Sequence, residues 1–397
     1  MKKKLILLCI LPFLLTGCWN YKELNERAIT TAMAIDKDDK GFKVSILIAN
    51  AKSSQVSSKE GESQTIVYSD TGKSITEAIK KINLKSPKEV YIGHLHVIVV
   101  SEDIAKENMS NVLDYFLREP ESVKRFFLII AKDVKASSVI EILSPLESFP
   151  AQSIYSNIKM ASESQALSPS VTYSKFIENI LKIGANPTLP TITILGDIED
   201  GKKEDSLKQS KPDATTKLDN LAIFKKENLL GYASEDESRG INIINNKVKT
   251  TTTTFEYDND YISIVLEEIK VSKSIEFINN EPVINIKYKS LGALREISNS
   301  KDLNNPDIIK NIEKSTEAAI KSLMQKGINA AQNVFKSDIF GFGNMIYKKS
   351  PTYFLDIKDW DNDYFPNLKI NVDVDVELKT KGSLEQTLGG LTYEFNN

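Results

Sequence analysis

The sequence has only two cysteines, Cys9 and Cys18, and both lie in its first 18 residues. If the first is removed with an export signal and the second is acylated, no thiol remains to form a disulfide or to bind a metal ion. A protein without disulfides outside the cytoplasm depends on an ordinary hydrophobic core. With 397 residues, of which 41% are hydrophobic, the chain is long enough for two or three domains with such cores.

The amino-terminal apolar run is too short to cross a membrane. It extends from Leu5 to Leu15 and is interrupted by Pro12, whereas a spanning helix needs about 20 apolar residues. Lys2, Lys3 and Lys4 precede it. A basic segment followed by a short apolar run is typical of an export signal, which is absent from the mature protein.

The run ends in Leu15-Thr16-Gly17-Cys18, which matches the lipobox of bacterial lipoproteins. In this motif the cysteine thiolate takes a diacylglyceryl group, and the small residues before it give the signal peptidase access to the bond. We therefore predict a lipoprotein signal peptide over residues 1–17 and a two-chain lipid anchor on Cys18, which suffices for stable attachment. The alternative is an ordinary secretory signal with a chance cysteine at its end.

The chain has no large excess of charge of either sign, with 51 Lys and Arg against 54 Asp and Glu. The three lysines leave with the signal, so the mature chain has 48 basic and 54 acidic side chains and a net charge near −6. This balance argues against nucleic-acid binding, which usually requires a basic face. It also argues against a polybasic grip on anionic lipids. The lipid on Cys18 therefore has to supply the membrane attachment.

Histidine is scarce as well, since His94 and His96 are the only two. In a strand they would lie on one face, roughly 7 Å apart, which suits two metal ligands. A zinc site needs three or four ligands, so carboxylates would have to complete it. Packed or hydrogen-bonded histidines are the favoured interpretation. The chain also lacks a Gly-x-Ser-x-Gly elbow, and we predict no catalytic residue, no metal and no cofactor.

Two glycine-containing motifs favour structural roles. The stretch from Asp70 to Ser74 ends like a phosphate-binding loop, but Val67 stands where the first glycine is required, and Ser74 suits a helix cap. Gly341-Phe342-Gly343 lacks the third glycine of a dinucleotide-binding loop and predicts a turn.

A row of carboxylates, Asp373, Asp375 and Glu377, alternates along the final predicted strand. A calcium site is conceivable there, but ligands must converge on the ion, and a straight row does not converge. A solvated sheet face is the favoured interpretation.

Hydrophobic periodicity predicts an α+β fold with mixed sheets and packed helices. In the first half, a hairpin is predicted around the turn from Asp36 to Gly41, with a helix starting at the capping box Ser74–Glu77. A continuous buried strand is predicted over Val90–Val100, followed by a helix capped by Ser110. Strands alternating with helices are typical of a layered α+β or α/β arrangement.

The second half is richer in strands. Asn279-Asn280 predicts a hairpin turn, and Asn305-Pro306 predicts the start of a long helix that Gly327 divides. A strand from Leu368 to Leu378 closes the pattern.

These elements predict about three domains. After the signal peptide (1–17) come an N-terminal α+β domain (18–197), a charged linker (198–219), a small strand-rich middle domain (220–274) and a C-terminal α+β domain (275–397). The linker is predicted because its sequence is charged and almost free of large apolar residues.

Short segments spread along the chain resemble, in order, those of the Ger(x)C family, the C-subunit lipoproteins of nutrient germinant receptors in endospore-forming bacteria. In the first half they are Gly17-Cys18-Trp19-Asn20, Glu23-Leu24, Ile35-Asp36, Gly93-His94-Leu95, Ser101-Glu102-Asp103-Ile104-Ala105 and Asp114-Tyr115-Phe116-Leu117-Arg118-Glu119-Pro120-Glu121. In the second half they are Leu221-Ala222-Ile223-Phe224-Lys225, Leu230-Gly231-Tyr232, Asp338-Ile339-Phe340-Gly341-Phe342-Gly343, Trp360 and Phe365-Pro366. Ser101 and Tyr232 depart from the family pattern, which commonly has glycine and tryptophan there.

The resemblance implies a three-domain α+β fold without known catalysis. It also implies a lipid-anchored subunit that works by protein–protein contact with two integral membrane subunits, A and B, during nutrient-triggered germination. The expected location is the extracytoplasmic face of the cell membrane. In the spore, this membrane is the inner membrane. Two alternatives stay open. A solute-binding lipoprotein of a transporter predicts two similar lobes around a cleft, and a surface enzyme predicts a converging acid, base or metal cluster.

Overall fold

A computed structural model describes residues 23–50, 64–147, 149–164, 166–297 and 303–380. The described chain forms two β-sheets with helices packed against them, which confirms the predicted multidomain α+β fold with mixed sheets. Cys18 and the signal peptide lie outside the described residues.

The first sheet has nine strands in the order β3-β2-β1-β5-β6-β7-β8-β9, with β4 paired to the start of β1. β1, β5, β6 and β7 are parallel, whereas the hairpin partners at both sides are antiparallel. The strands are β1 Arg27–Asp38, β2 Gly41–Ala49, β3 Thr65–Gly72, β4 Glu89–Tyr91, β5 Val97–Ser101, β6 Phe127–Ala131, β7 Thr188–Gly196, β8 Ala214–Lys225 and β9 Asn228–Tyr232.

Helices cover both faces of this sheet, so its central strands are buried on both sides. One face packs against α1, α2, α3 and α6, and the other packs against α4 and α5. The helices are α1 Ile75–Asn83, α2 Glu102–Glu107, α3 Met109–Arg118, α4 Ala136–Val139, α5 Pro150–Ser164, α6 Tyr173–Leu181 and the short α7 Ile198–Gly201.

The second sheet has four strands in the order β10-β11-β12-β13, and only its last pair is parallel. Its core includes residues of the long helix α9. The elements are α8 Glu235–Ile244, β10 Thr251–Tyr257, β11 Asp260–Ile278, β12 Glu281–Ile297, α9 Pro306–Asn329, α10 Phe342–Lys349, α11 Pro351–Leu355 and β13 Lys369–Thr380.

Several local signals are confirmed. The Ser74 hydroxyl accepts a hydrogen bond from the Glu77 N–H at the start of α1, and Asn305 caps α9 with Pro306 in its first turn. Asn279 and Asn280 both adopt positive φ in the β11–β12 turn. These signals act between neighbours in sequence, so the sequence alone reveals them.

Other boundaries differ from the prediction. The apolar run Val90–Val100 is not one strand, because the chain turns between β4 and β5. Continuous apolar character marks burial but does not reveal a break in direction. Asn108, rather than Ser110, precedes α3.

The predicted linker, 198–219, contains α7, a short 3-10 turn at Glu204–Lys208 and the first half of β8. β8 pairs with β7 from Gly196↔Ala214 to Thr188↔Ile223. A charged stretch can occupy an antiparallel strand near a sheet margin, because one face meets solvent. The position of the domain boundaries remains a prediction.

Close packing of α8 on α9 depends on two glycines. A methyl group at Gly240 would overlap the Leu323 carbonyl group, and one at Gly327 would come within 2.8 Å of the Ile241 nitrogen. α9 continues through Gly327 to Asn329, so the predicted division at this residue is wrong. Gly327 allows the two helices to touch.

The free side of β13 is partly covered by side chains of α9. The backbone N–H groups of Val376 and Leu378 donate hydrogen bonds to the Glu317 and Glu313 carboxylates, at 3.2 and 2.9 Å. These bonds satisfy strand donors for which no other described strand provides an acceptor.

Within the described ranges, no helix combines the length and the apolar character needed to cross a bilayer.

Candidate functional site

The two histidines lie in the turn between β4 and β5 rather than in a strand. His94 is exposed and meets the Tyr91 ring edge-on, with ring centroids 5.8 Å apart. His96 packs against the Tyr155 ring at 5.4 Å, and its buried Nδ1 has no hydrogen-bond partner. Burial, and then the nearby His94, lower the pKa of His96. Among the described residues, no group of three or more potential metal ligands converges.

The phosphate-loop-like stretch is occupied by structural contacts. Asp70 forms an ion pair with Lys85 at 2.7 Å, and the Lys73 N–H donates to the Glu77 carboxylate at 2.9 Å. The Ser74 hydroxyl accepts from the Glu77 N–H at 3.2 Å, but the return bond of Glu77 goes to Lys73 and not to the Ser74 N–H that the predicted capping box requires. This segment therefore starts a helix.

The carboxylate row on β13 faces a row of lysines on β12. Lys287 pairs in register with Asp373, and Lys289 pairs with Asp375. The Lys289 ammonium lies 2.7 Å from the Asp375 carboxylate, and both side chains are exposed. Opposite charges across two strands form a solvated face.

A crevice of about 520 Å³ lies where β1, β5 and β6 end. Ligands of open α/β sheets often bind at such carboxyl ends. Here the buried Asp36 carboxylate accepts hydrogen bonds from the Ala136 and Ser137 N–H groups at 2.7 and 2.9 Å. The α4 N–H groups that an anion would need are therefore already taken.

The most elaborate polar arrangement surrounds Asp338, which is fully buried. Its Oδ1 accepts hydrogen bonds from the N–H groups of Phe340, Gly341 and Phe342 at 2.9–3.2 Å. Its Oδ2 accepts from the Gly343 N–H at 2.7 Å. The fifth donor is the indole Nε1–H of Trp360, which also reaches Oδ2, at 3.1 Å. One carboxylate thus organises the turn after Asp338 and the first turn of α10, so Phe342 and Gly343, predicted to lie in a turn, open a helix instead.

Glycine is required at two points of this turn. Gly341 has a φ of 72°, in the left-handed region. A methyl group at Gly343 would lie 2.7 Å from Cε2 of Trp360 and 2.8 Å from Cα of Gly184. Gly184 belongs to the loop before β7, so the turn presses directly against the first sheet.

Hydrogen bonds also join the turn to the first sheet. The Asn186 N–H donates to the Asp338 carbonyl at 2.8 Å, and the Ser337 hydroxyl donates to the Phe224 carbonyl at 2.7 Å. The Asn186 amide donates to Asp361 at 3.0 Å. We call this set the joint: Asp338–Gly343, Ser337, Trp360 and Asp361 on one side, with Gly184, Asn186 and Phe224 on the other.

The joint buries charge. Burial raises the pKa of Asp338 to about 6, against the opposing pull of its backbone N–H donors. Burial lowers the pKa of Lys273 to about 8, and the Asp338 charge counteracts part of that effect. The Lys273 ammonium donates to the Phe340 carbonyl and to Asn245, both at 3.3 Å. Lys273 thus supports the Asp338 turn from within the second part of the chain, and the bonds of Asn186 and Ser337 join the two parts.

The sequence indicates only half of this arrangement. Asp338, its glycines and Trp360 stand in segments that resemble a family, but Gly184 is predicted only as the stop of a helix, and Asn186 carries no local signal. Their partners are more than 150 residues away along the chain. Only tertiary structure brings them together.

Comparisons with known proteins agree with this architecture. Residues 20–194 match the family model "Spore germination protein N-terminal domain", and residues 219–382 match "Spore germination B3/GerAC like, C-terminal". The chain is 25% identical to spore germination protein KC of Bacillus subtilis, over 95% of each chain. It is 24% identical to spore germination protein B3 of the same organism, over 93% of this chain and 95% of that one.

A crystal structure of the GerBC protein has the same fold, with a TM-score of 0.53 and 17% identity over 90% of this chain and 99% of that one. The two matched ranges together include most strands of both sheets and the residues of the joint. The chain therefore belongs to the Ger(x)C family of spore germination proteins.

Proposed function

We propose that this protein is a lipid-anchored subunit of a nutrient germinant receptor, required for spore germination in response to small nutrients. The observation that carries the proposal is the match to germination-protein family models in both halves of a chain whose lipobox ends at Cys18. The residues from Cys18 onward would lie outside the membrane, on its extracytoplasmic face.

The subunit acts by contact and not by catalysis. Its most densely hydrogen-bonded buried carboxylate, Asp338, is fully occupied by five donors within the joint. A carboxylate surrounded in this way positions backbone segments and has no open position for a substrate. The partners are the integral membrane A and B subunits of the receptor and the lipid on Cys18.

The alternative, a solute-binding lipoprotein, has less support. It predicts two similar lobes, whereas the two sheets here have nine and four strands with different topologies. The crevice beside Asp36 has its helix N–H groups already satisfied.

The test is a Cys18→Ala allele in a strain that retains only this receptor. We expect the precursor to escape acylation, nutrient germination to be lost, and germination with non-nutrient triggers to stay normal. Cys9→Ala is the matched control, because that residue leaves with the signal peptide.

Metabolic labelling with a radioactive fatty acid checks the chemistry, with label expected on the wild type and the Cys9→Ala protein only. An unlabelled, freely soluble wild-type protein would refute the anchor. Undiminished nutrient germination in the Cys18→Ala strain would refute the requirement for it.

A further inference from the structure

Four neighbouring parallel strands point away from one edge of the nine-stranded sheet: β1 and β4 begin there, and β5 and β6 begin level with Ala32 of β1. β1 is parallel to both β4 and β5, and β5 is parallel to β6. Arg27 is the first residue of β1. We call this side of the sheet, formed by the amino-terminal ends of these strands and the loops beside them, the starting edge. β1 has 12 residues, so the opposite edge is about 36 Å away at a rise of ~3 Å per residue.

The proposed anchor places the starting edge, and not the opposite edge, next to the membrane. Four residues lie between Cys18 and Glu23, the first described residue, so five Cα-to-Cα steps join them, and a fully extended chain spans at most about 3.6 Å per step. The lipid-bearing residue therefore lies within about 18 Å of Glu23. This step rests on the proposed lipid anchor, which holds the starting edge close to the bilayer.

Large apolar side chains project from the loops at this edge. Leu84, in the loop before β4, is 87% exposed. Val123, in the loop before β6, is 54% exposed, and Leu117, in the last turn of α3, is 53% exposed. Exposed apolar residues that gather at one place mark an interaction surface.

These loops are fastened to the start of β1. The Val90 N–H donates to the Asn83 side chain, next to Leu84, at 2.9 Å, and Val90 pairs with Ala28. The Arg27 guanidinium pairs with Glu121 at 3.2 Å. The apolar residues and the emerging anchor therefore belong to one structural unit.

The same loops present basic side chains toward solvent. Lys88 and Arg125 are exposed, and each lies within four residues of Leu84 or Val123. Glu121 is neutralised by Arg27. Apolar side chains flanked by cations fit the boundary between acyl chains and phosphate headgroups.

We infer that the starting edge lies in the headgroup layer of the membrane that holds the anchor, with Leu84, Leu117 and Val123 inserted at its acyl boundary. The parallel strands then lead away from the bilayer. The crevice beside Asp36 opens on the side facing away from the lipid.

Apart from the acylated Cys18, the mature chain has no cysteine. A single introduced cysteine can therefore be labelled selectively. Single-cysteine variants Leu84→Cys and Val123→Cys of the acylated full chain are labelled with a thiol-reactive fluorophore on phospholipid vesicles. Leu146→Cys and Leu195→Cys are the matched controls, since these leucines are 92% and 50% exposed. Leu195 lies near the end of β7, at the opposite edge, and Leu146 follows Leu143, which is bonded to Gly201 of α7.

We expect lipid-attached nitroxide to quench labels at 84 and 123 several-fold more than labels at 146 and 195, and aqueous iodide to show the reverse order. Labels at 84 and 123 that stay open to iodide, on protein retained by vesicles, would overturn the inference and leave the anchor intact. Shielding of those labels in spore membranes but not in pure lipid would also overturn it, because a protein would then cover the edge. A wild-type chain that fails to stay on vesicles would overturn the proposed anchor, and the inference with it.

Discussion

The Asp338 carboxylate should make the stability of the protein depend on pH in an unusual direction. Its pKa rises from an ordinary 3.8 to about 6 in the folded chain because burial disfavours the charge. The folded protein therefore binds this proton more tightly than the unfolded chain does. The contribution of Asp338 to the free energy of unfolding is greatest below about pH 4 and falls as the pH rises toward 6.

The magnitude follows from the shift. About two pKa units correspond to roughly 3 kcal/mol, of which about 2 kcal/mol should be lost between about pH 4.5 and 7.5. Asp338→Asn removes the titration. The stability of the wild type relative to this variant should therefore fall by about 2 kcal/mol over that interval.

Urea unfolding of both proteins at several pH values measures the difference, and all shared titrations cancel. Asp114→Asn is a control of opposite sign, because its exposed carboxyl pairs with Arg118 at 2.8 Å, which lowers the pKa. Relative to that variant, wild-type stability should rise with pH. If the Asp338→Asn difference also rose with pH, the five N–H donors would outweigh burial and the reasoning would be refuted.

Two further predictions concern packing and surface charge. Gly240→Ala should destabilise the protein by about 2–3 kcal/mol in urea unfolding, because the added methyl overlaps Leu323 where α8 crosses α9. Alanine stabilises an uncrowded helix relative to glycine, so a gain in stability would contradict this packing. A double-mutant cycle on Lys289→Ala and Asp375→Ala should give only a small coupling that weakens with salt, because both partners are exposed. A larger, salt-independent coupling would contradict the solvated face.

The sequence predicts those parts of the fold that depend on near neighbours. The β1–β2 hairpin, the Ser74 helix cap and the alternation of β13 are confirmed because each is encoded within about a dozen residues. The pairing of β8 with β7 could not be read from a charged stretch, because the partner strand supplies the hydrogen bonds. For the same reason the joint could not be predicted from the sequence, because Asn186 and Asp361, which are hydrogen-bonded there, are 175 residues apart along the chain.

If the protein is held at a membrane by the proposed anchor, the carboxylates that take the N–H groups of Val376 and Leu378 have a further consequence. Molecules confined to two dimensions meet one another far more often than molecules in solution. An uncovered strand margin would then recruit a strand from a neighbouring copy and grow into a continuous ribbon. Glu313 and Glu317 oppose such growth, because an arriving strand would have to displace two charged acceptors before it could bond to the Val376 and Leu378 N–H groups.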